Sequence, residues 1–307
     1  MFKQSFSDLT KLPKEKVLEW LPSIKSVICD ADGVLWHSKD AIEGAVDTFN
    51  LLSDSGRKTF IVTNNAALSI ADFQKKASNL GMNIDEDRIL SSSYSCAHFL
   101  ATKKFQKKVF YMGELGIQYE MEKVGLCCFR VNEKMDRPIL EFVKDLKPDP
   151  DVGAVVVGRD ECFNMAKVMR VGSYLQNPQV IFLGTSLDAA YPIGDNRVMV
   201  GSGAMLAAIK TFTGRSPLVL GKPNPWMVAQ LTQKGLIEPE STLMVGDTLE
   251  TDILFAKNCG FQSLLVGTGV NSRKDVAKIV DEGDPQKMDQ VPDTYLPSFG
   301  HLREFLC

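Results

Sequence analysis

The strongest constraint on the fold is a set of short, unbroken apolar runs, each ending at a small or polar residue. They are Ser26-Val27-Ile28-Cys29-Asp30, Thr59-Phe60-Ile61-Val62-Thr63, Ala154-Val155-Val156-Val157-Gly158, Val180-Ile181-Phe182-Leu183-Gly184, Leu218-Val219-Leu220-Gly221, Leu243-Met244-Val245-Gly246-Asp247 and Leu264-Leu265-Val266-Gly267. A strand with one wet face alternates apolar and polar residues. Continuous apolarity means burial on both faces, the condition of a parallel sheet covered by helices. The spacers are long enough for crossover helices, and Asp40 to Ser55 and Asn224 to Lys234 repeat apolar residues at helical intervals. The sequence therefore predicts an α/β chain with a doubly wound parallel sheet.

The turn-rich Asp145-Leu146-Lys147-Pro148-Asp149-Pro150-Asp151 punctuates the middle of the chain. The first two runs lie before residue 95 and the Leu218 and Leu243 runs after 215, while the stretch between has strands and helices of its own. This predicts a core built from residues 1–99 and 213–307, with 100–212 inserted as a second α/β unit.

Composition narrows the chemistry. A net charge of -3 leaves no basic footprint, so nucleic acid is not the expected partner. No apolar run approaches the ~18 residues of a membrane span. The residues after Met1 lack the apolar core of a signal peptide. The seven cysteines (29, 96, 127, 128, 162, 259 and 307) follow no zinc or disulfide spacing, which points to free thiols and a cytosolic protein. The three histidines, His37, His98 and His301, are scattered. Reactivity must therefore rest on carboxylates, lysine, threonine and asparagine.

In open α/β sheets, function gathers beyond the carboxyl ends of the strands. Four such ends are chemically loaded: Asp30-Ala31-Asp32-Gly33, Thr63-Asn64-Asn65, Gly221-Lys222-Pro223 and Gly246-Asp247-Thr248-Leu249-Glu250-Thr251-Asp252. Asp30 and Asp32, two residues apart on extended chain, lean the same way. Asp247 brought beside them completes a cluster whose mutual repulsion calls for a cation, and all-oxygen donors suit Mg²⁺. Thr63, Asn64 and Lys222 are donors, and donors facing a metal-carboxylate centre suggest a phosphate. Asp30 is placed to attack phosphorus, and Asp32 to protonate the leaving oxygen and then deprotonate water. Singly, each motif is common in turns and helix caps. Their conjunction, in the order Asp, Thr, Lys, Asp and each directly after an apolar run, carries the reading.

With Val34-Leu35-Trp36 after the first motif and Ile253 after the last, these segments resemble the haloacid dehalogenase-like phosphatases. The branch is that of 4-nitrophenylphosphatase, phosphoglycolate phosphatase and pyridoxal phosphatase, and the resemblance runs from about residue 20 to 300. It implies a Rossmann-like core with an inserted α/β cap, a small phosphorylated substrate and a homodimer formed through the cap. It also implies Asp30 as nucleophile and magnesium ligand, and Asp32 as acid/base, binding the metal through its backbone carbonyl. Asp247 would be the third protein ligand, with Asp252 in support. Thr63, Asn64 and Asn65 would hold the phosphate, and Lys222 would neutralise Asp30 and the phosphoryl oxygens. Tyr191, after Asp188-Ala189-Ala190, is the candidate cap residue reaching the substrate; its other reading is an ordinary turn tyrosine.

Two places depart from the family pattern. A hydroxyl residue and an arginine usually follow Thr-Asn-Asn, but here the run is Ala66-Ala67-Leu68-Ser69-Ile70. A cap loop often reading Thr-Asn-x-Asp is Thr185-Ser186-Leu187-Asp188. Rival readings are a dehalogenase, against which Asp32 argues, and a phospho-acceptor domain, which carries no such insertion. The third is a weakly active or non-catalytic paralogue that binds a phosphate ligand or a protein, favoured by the altered loop alone. Gly201-Ser202-Gly203 reads as a hinge or as plain turn chemistry, Cys29 as core filler and Trp36 as site lining or core. The Lys103-Lys104 and Lys107-Lys108 pairs read as a solvated helical face.

Overall fold

The computed structural model describes residues 6–133, 137–194 and 197–306. Its strands are β1 (Ser7–Asp8), β2 (Ser26–Cys29), β3 (Trp36–His37), β4 (Asp40–Ala41), β5 (Lys58–Thr63), β6 (Ile89–Ser91), β7 (Lys108–Met112) and β8 (Cys128–Phe129). There follow β9 (Val152–Val157), β10 (Ile181–Gly184), β11 (Ala190–Gly194), β12 (Arg197–Val200), β13 (Leu218–Val219), β14 (Thr242–Gly246), β15 (Gln262–Val266) and β16 (Thr294–Leu296). The helices used below are α1 (Ala45–Asp54), α2 (Ile70–Asn79), α3 (Ser92–Thr102), α4 (Leu115–Lys123), α5 (Met165–Leu175), α6 (Ser202–Thr213) and α7 (Leu254–Cys259).

The main sheet has seven strands in the order β1-β16-β15-β14-β2-β5-β6, every pair parallel. Its central strands explain their own composition. Val27 and Cys29 pack into one apolar layer with Phe49 of α1 and Phe73 of α2, while Ile28 between them packs into the opposite layer with Phe60 and Phe255. Leu243 and Val245 of β14 divide from Met244 in the same way. Successive side chains point to opposite faces and both faces are dry, so the middles of these strands are apolar at every position and polar residues, Ser26 and Thr242, stand only at their starts.

All the strands of a second, five-stranded parallel sheet lie between β6 and β14 in sequence, in the order β13-β10-β9-β7-β8. Ala154 and Val156 of β9 face the layer containing Cys96 and Leu100 of α3, and Val155 and Val157 face the layer of α5 and α6. Two details differ from the sequence reading. The Leu218 run, expected in the core segment from 213, is an edge strand of the second sheet, because Leu218 and Val219 register with Leu183 and Gly184. Helix α3, expected to lie almost wholly before the insertion, packs its apolar side on that same sheet.

Local chemistry sets the helix starts. The Ser69 hydroxyl accepts from the Asp72 N–H at 3.1 Å and starts α2, and the Ser91 hydroxyl accepts from the Tyr94 N–H at 3.2 Å and starts α3. The Asp40-to-Ser55 stretch is helical only from Ala45; Asp40–Ala41 pairs back on Trp36–His37 as a two-stranded ribbon. The paired lysines are not on a helix: α3 ends at Thr102, and Lys108 begins β7, its ammonium 2.8 Å from Asp149. Among the described residues no helix is long and apolar enough to cross a membrane.

Candidate active site

Asp30 leaves the carboxyl end of β2 and Asp247 that of the adjacent β14, where the Asp30 N–H donates to the Val245 carbonyl at 2.9 Å. One turn of wider, π-type helix at Leu249–Ile253 then brings Asp252 back onto the strand end. Oδ2 of Asp252 accepts the N–H groups of Asp247 (3.0 Å) and Thr248 (3.1 Å). Carboxylate oxygens of Asp30, Asp247 and Asp252, all buried, lie within 4.8 Å of one another. Lys222, 1% exposed, places Nζ against Asp30 Oδ1 and 2.7 Å from Asp252 Oδ1.

The Asp247 carboxylate sits in a cradle of backbone. Its Oδ2 accepts the Val270 N–H at 2.8 Å, and Gly33 and Gly269 flank it so closely that a Cβ at either would stand 2.5 or 1.7 Å from that oxygen. Gly33 also has φ +90°, so glycine is required there twice over. Burial, the largest influence, and the charges of Asp252 and Asp32 push the Asp30 carboxyl up to about 7, against the pull of Lys222. Asp247 is pushed well above the usual carboxylate range, by burial first and then by Asp252 and Asp30. The burial penalty on the Lys222 ammonium is overcome by Asp252 and Asp30, which raise its pKa. The cluster is thus short of positive charge with one lysine in it. An all-oxygen donor set of this kind fits a hard divalent cation such as Mg²⁺.

Asp32 stands at the rim. Its Oδ1 accepts the indole N–H of Trp36 at 3.0 Å, and its Oδ2 accepts from Asn65 Nδ2 at 3.1 Å. The amides of the two asparagines have protein partners. Asn65 Oδ1 accepts the Ala67 N–H. Asn64 Oδ1 accepts the Lys222 N–H at 2.7 Å, and its Nδ2 donates to the Lys222 carbonyl at 3.2 Å and to Asp188 Oδ2 at 2.8 Å. Asn64 therefore clamps the Lys222 segment, which arrives from the second sheet, to the end of β5. Thr63 is buried, with Oγ1 accepting the Asn65 N–H at 3.1 Å.

All nine sequence-predicted site residues (Asp30, Asp32, Thr63, Asn64, Asn65, Tyr191, Lys222, Asp247 and Asp252) line one cleft of about 630 Å³. Its other wall comes from the inserted unit, at the carboxyl ends of β9 and β10. Arg159 lies there with its guanidinium 5.8 Å from the Tyr191 ring, alongside Thr185, Ser186 and Asp188. Arg159 was missed from sequence, having no motif around it; Asp188 was visible only as the end of an altered loop. Gly201 and Gly203 serve a close backbone approach. A Cβ at either would meet the Asp188 or Leu187 carbonyl oxygen at 2.0 or 2.1 Å, so they let the start of α6 pass against the Asp188 loop. Trp36 is fully buried, settling it as core that reaches the site through one N–H.

Carboxylates that repel one another are not kept dry together at a sheet edge for the sake of packing. With a lysine among them and a second unit walling the cleft, they form a charged reactive centre on an α/β fold. Residues 27–127 match the haloacid dehalogenase-like hydrolase family, and residues 219–296 match the HAD-hydrolase-like family. The chain is 38% identical over 268 residues to phosphoglycolate phosphatase 1A of Arabidopsis thaliana, covering 84% of this chain and 72% of that one. It is 35% identical to the 4-nitrophenylphosphatase of Schizosaccharomyces pombe, over 95% of this chain and 97% of the relative. Among solved structures it is similar to the magnesium complex of a glycerol phosphate phosphatase from Mycobacterium tuberculosis. That match has a TM-score of 0.71 and 26% identity, over 91% of this chain and 77% of that one. The chain belongs to the haloacid dehalogenase-like hydrolases, and it is a phosphatase.

Proposed function

We propose that the protein is a magnesium-dependent phosphomonoester hydrolase that acts on small phosphorylated metabolites through a phospho-Asp30 intermediate. The observation that carries this is the buried Asp30 carboxylate at a strand end, in contact with Lys222 and converging with Asp247 and Asp252. Asp30 and Asp247, with the Asp32 backbone carbonyl, would hold the cation, and Asp252 would orient them. Bound there, magnesium supplies positive charge against the carboxylates and the phosphoryl oxygens.

The chain's own groups then divide the work. Lys222 favours the ionised form of Asp30, whose oxygen attacks phosphorus as the ester P–O bond breaks. Asp32 gives its proton to the departing alcohol oxygen, then takes one from the water that attacks the phospho-aspartate, releasing inorganic phosphate and restoring Asp30. Arg159 and Tyr191 stand on the wall contributed by the inserted unit and so would sort substrates by their alcohol portion. The relatives named for phosphoglycolate and 4-nitrophenyl phosphate support a small, compact ester.

A non-catalytic paralogue rested on the Ala66-to-Ile70 loop. That loop is spent on docking: the Gly116 N–H of α4 donates to the Ala67 carbonyl at 3.1 Å, and Glu120 Oε1 accepts the Ile70 N–H at 2.8 Å. It leaves the acids and Lys222 in place. The test is 4-nitrophenyl phosphate turnover with and without Mg²⁺, beside Asp30→Asn. Metal-dependent turnover that disappears in the variant supports the proposal; turnover that survives Asp30→Asn overturns it.

A further inference from the structure

Lys76 of α2 is a half-buried lysine whose one ion pair among the described residues is with Asp32, Nζ to Oδ1 at 4.0 Å. The same ammonium lies 4.3 Å from the centre of the Trp36 ring, and Trp36 donates its indole N–H to that same Asp32 oxygen. With Asn65 on Oδ2, three groups from three parts of the chain converge on one carboxyl: the β3 ribbon, α2 and the loop after β5. Lys76 and Trp36 do not line the cleft; Asp32, which both of them meet, does. Packing alone does not require this arrangement: an uncharged side chain would cover the indole equally well without setting an ammonium against a rim carboxylate.

We infer that Lys76 and Trp36 are positioning residues, holding the Asp32 carboxyl at the angle from which it passes a proton to the leaving oxygen. The inference rests on the reading of Asp32 as the acid and base. Its signature lies in the leaving group. A 4-nitrophenolate departs without a proton, whereas an alkoxide needs one delivered in the transition state. A carboxyl swung out of line therefore harms alkyl esters far more than the nitrophenyl ester.

The experiment compares kcat/KM, which reports the phosphoryl transfer step, for glycerol phosphate and 4-nitrophenyl phosphate in Lys76→Met, Lys76→Arg, Trp36→Phe and Asp32→Asn. Misplacement by a fraction of an ångström predicts a loss of about tenfold or more on the alkyl ester in Lys76→Met. On 4-nitrophenyl phosphate the predicted loss is only about two- to threefold, and Lys76→Arg should recover most of both. Trp36→Phe, which keeps a ring and removes the N–H, should show the same bias; should it fail to fold, the two Lys76 variants decide alone. Equal losses on the two esters in Lys76→Met, or none, overturn the inference when Asp32→Asn does show the bias. If Asp32→Asn shows no bias, the acid/base reading falls and the inference with it.

Discussion

Substituting Gly269 by alanine tests whether the position of the Asp247 carboxylate matters to turnover. Gly269 is not in the left-handed region, so alanine is acceptable to the backbone. Its Cβ is not acceptable to the site: it would stand 1.7 Å from Asp247 Oδ2 and 2.5 Å from the Asp247 Cβ, where separations under 3.0 Å do not occur. Either the carboxylate or the loop must move by about 1.3 Å, and with it goes the 2.8 Å bond from the Val270 N–H. A displacement near 1 Å costs about 100-fold in rate, roughly 2.7 kcal/mol of transition-state stabilisation. The lost hydrogen bond costs about 1–3 kcal/mol of stability, which a domain of this size survives. Steady-state kinetics on 4-nitrophenyl phosphate across a magnesium titration, with thermal denaturation by circular dichroism, would read both. The expected result is a folded protein with kcat/KM down about 100-fold and a higher magnesium requirement. Parental kcat/KM at the parental magnesium requirement would refute the reasoning.

Other consequences follow from the same geometry. Phe49, fully buried beneath the main sheet, should cost about 3–5 kcal/mol on truncation to alanine in urea unfolding; a cost under about 1 kcal/mol would mean the layer repacks freely. Burial holds the Asp30 carboxyl up to about 7, so the native state keeps a proton that the unfolded chain gives up near the ordinary 3.8. Its contribution to stability is therefore present at low pH and lost as pH rises from about 4 to 7. Melting temperatures in EDTA should fall over that window, less steeply in Asp30→Asn, and magnesium should restore them at pH 8; identical slopes in the two proteins would contradict this. Tyr191→Ala should raise KM about tenfold for esters with bulky alcohol portions and change it little for the smallest ones. A uniform effect across substrates would remove Tyr191 from the substrate wall.

Much of this was legible in the sequence because the chemistry sits where the apolar runs stop. Asp30 and Asp247 each follow, and Thr63 ends, a strand buried on both faces, so the pattern that announces the sheet also places the acids on one edge. What the pattern could not give was partnership across the two sheets. Leu218 and Val219 look like any buried strand, and only pairing with Leu183 and Gly184 puts them in the second sheet, making Lys222 a residue delivered from the insertion. Asp188 reaches Asn64 across 124 positions, and Arg159 stands in no motif. Their placement depends on how one sheet sits over the other, which local propensity does not encode. The glycines at 201 and 203 were ambiguous for a related reason. A turn and a close backbone approach select the same residue, and only the carbonyls of Leu187 and Asp188 tell them apart.

The central claim is that Asp30 carries the phosphoryl group between substrate and water. The most direct measurement is rapid acid quench during turnover, followed by peptide mass analysis of the trapped enzyme. The account predicts a phosphoryl adduct on the peptide containing Asp30, formed and lost within the turnover time and absent from Asp30→Asn. Turnover without any enzyme-bound phosphoryl group, or an adduct on another residue that persists in Asp30→Asn, would contradict it.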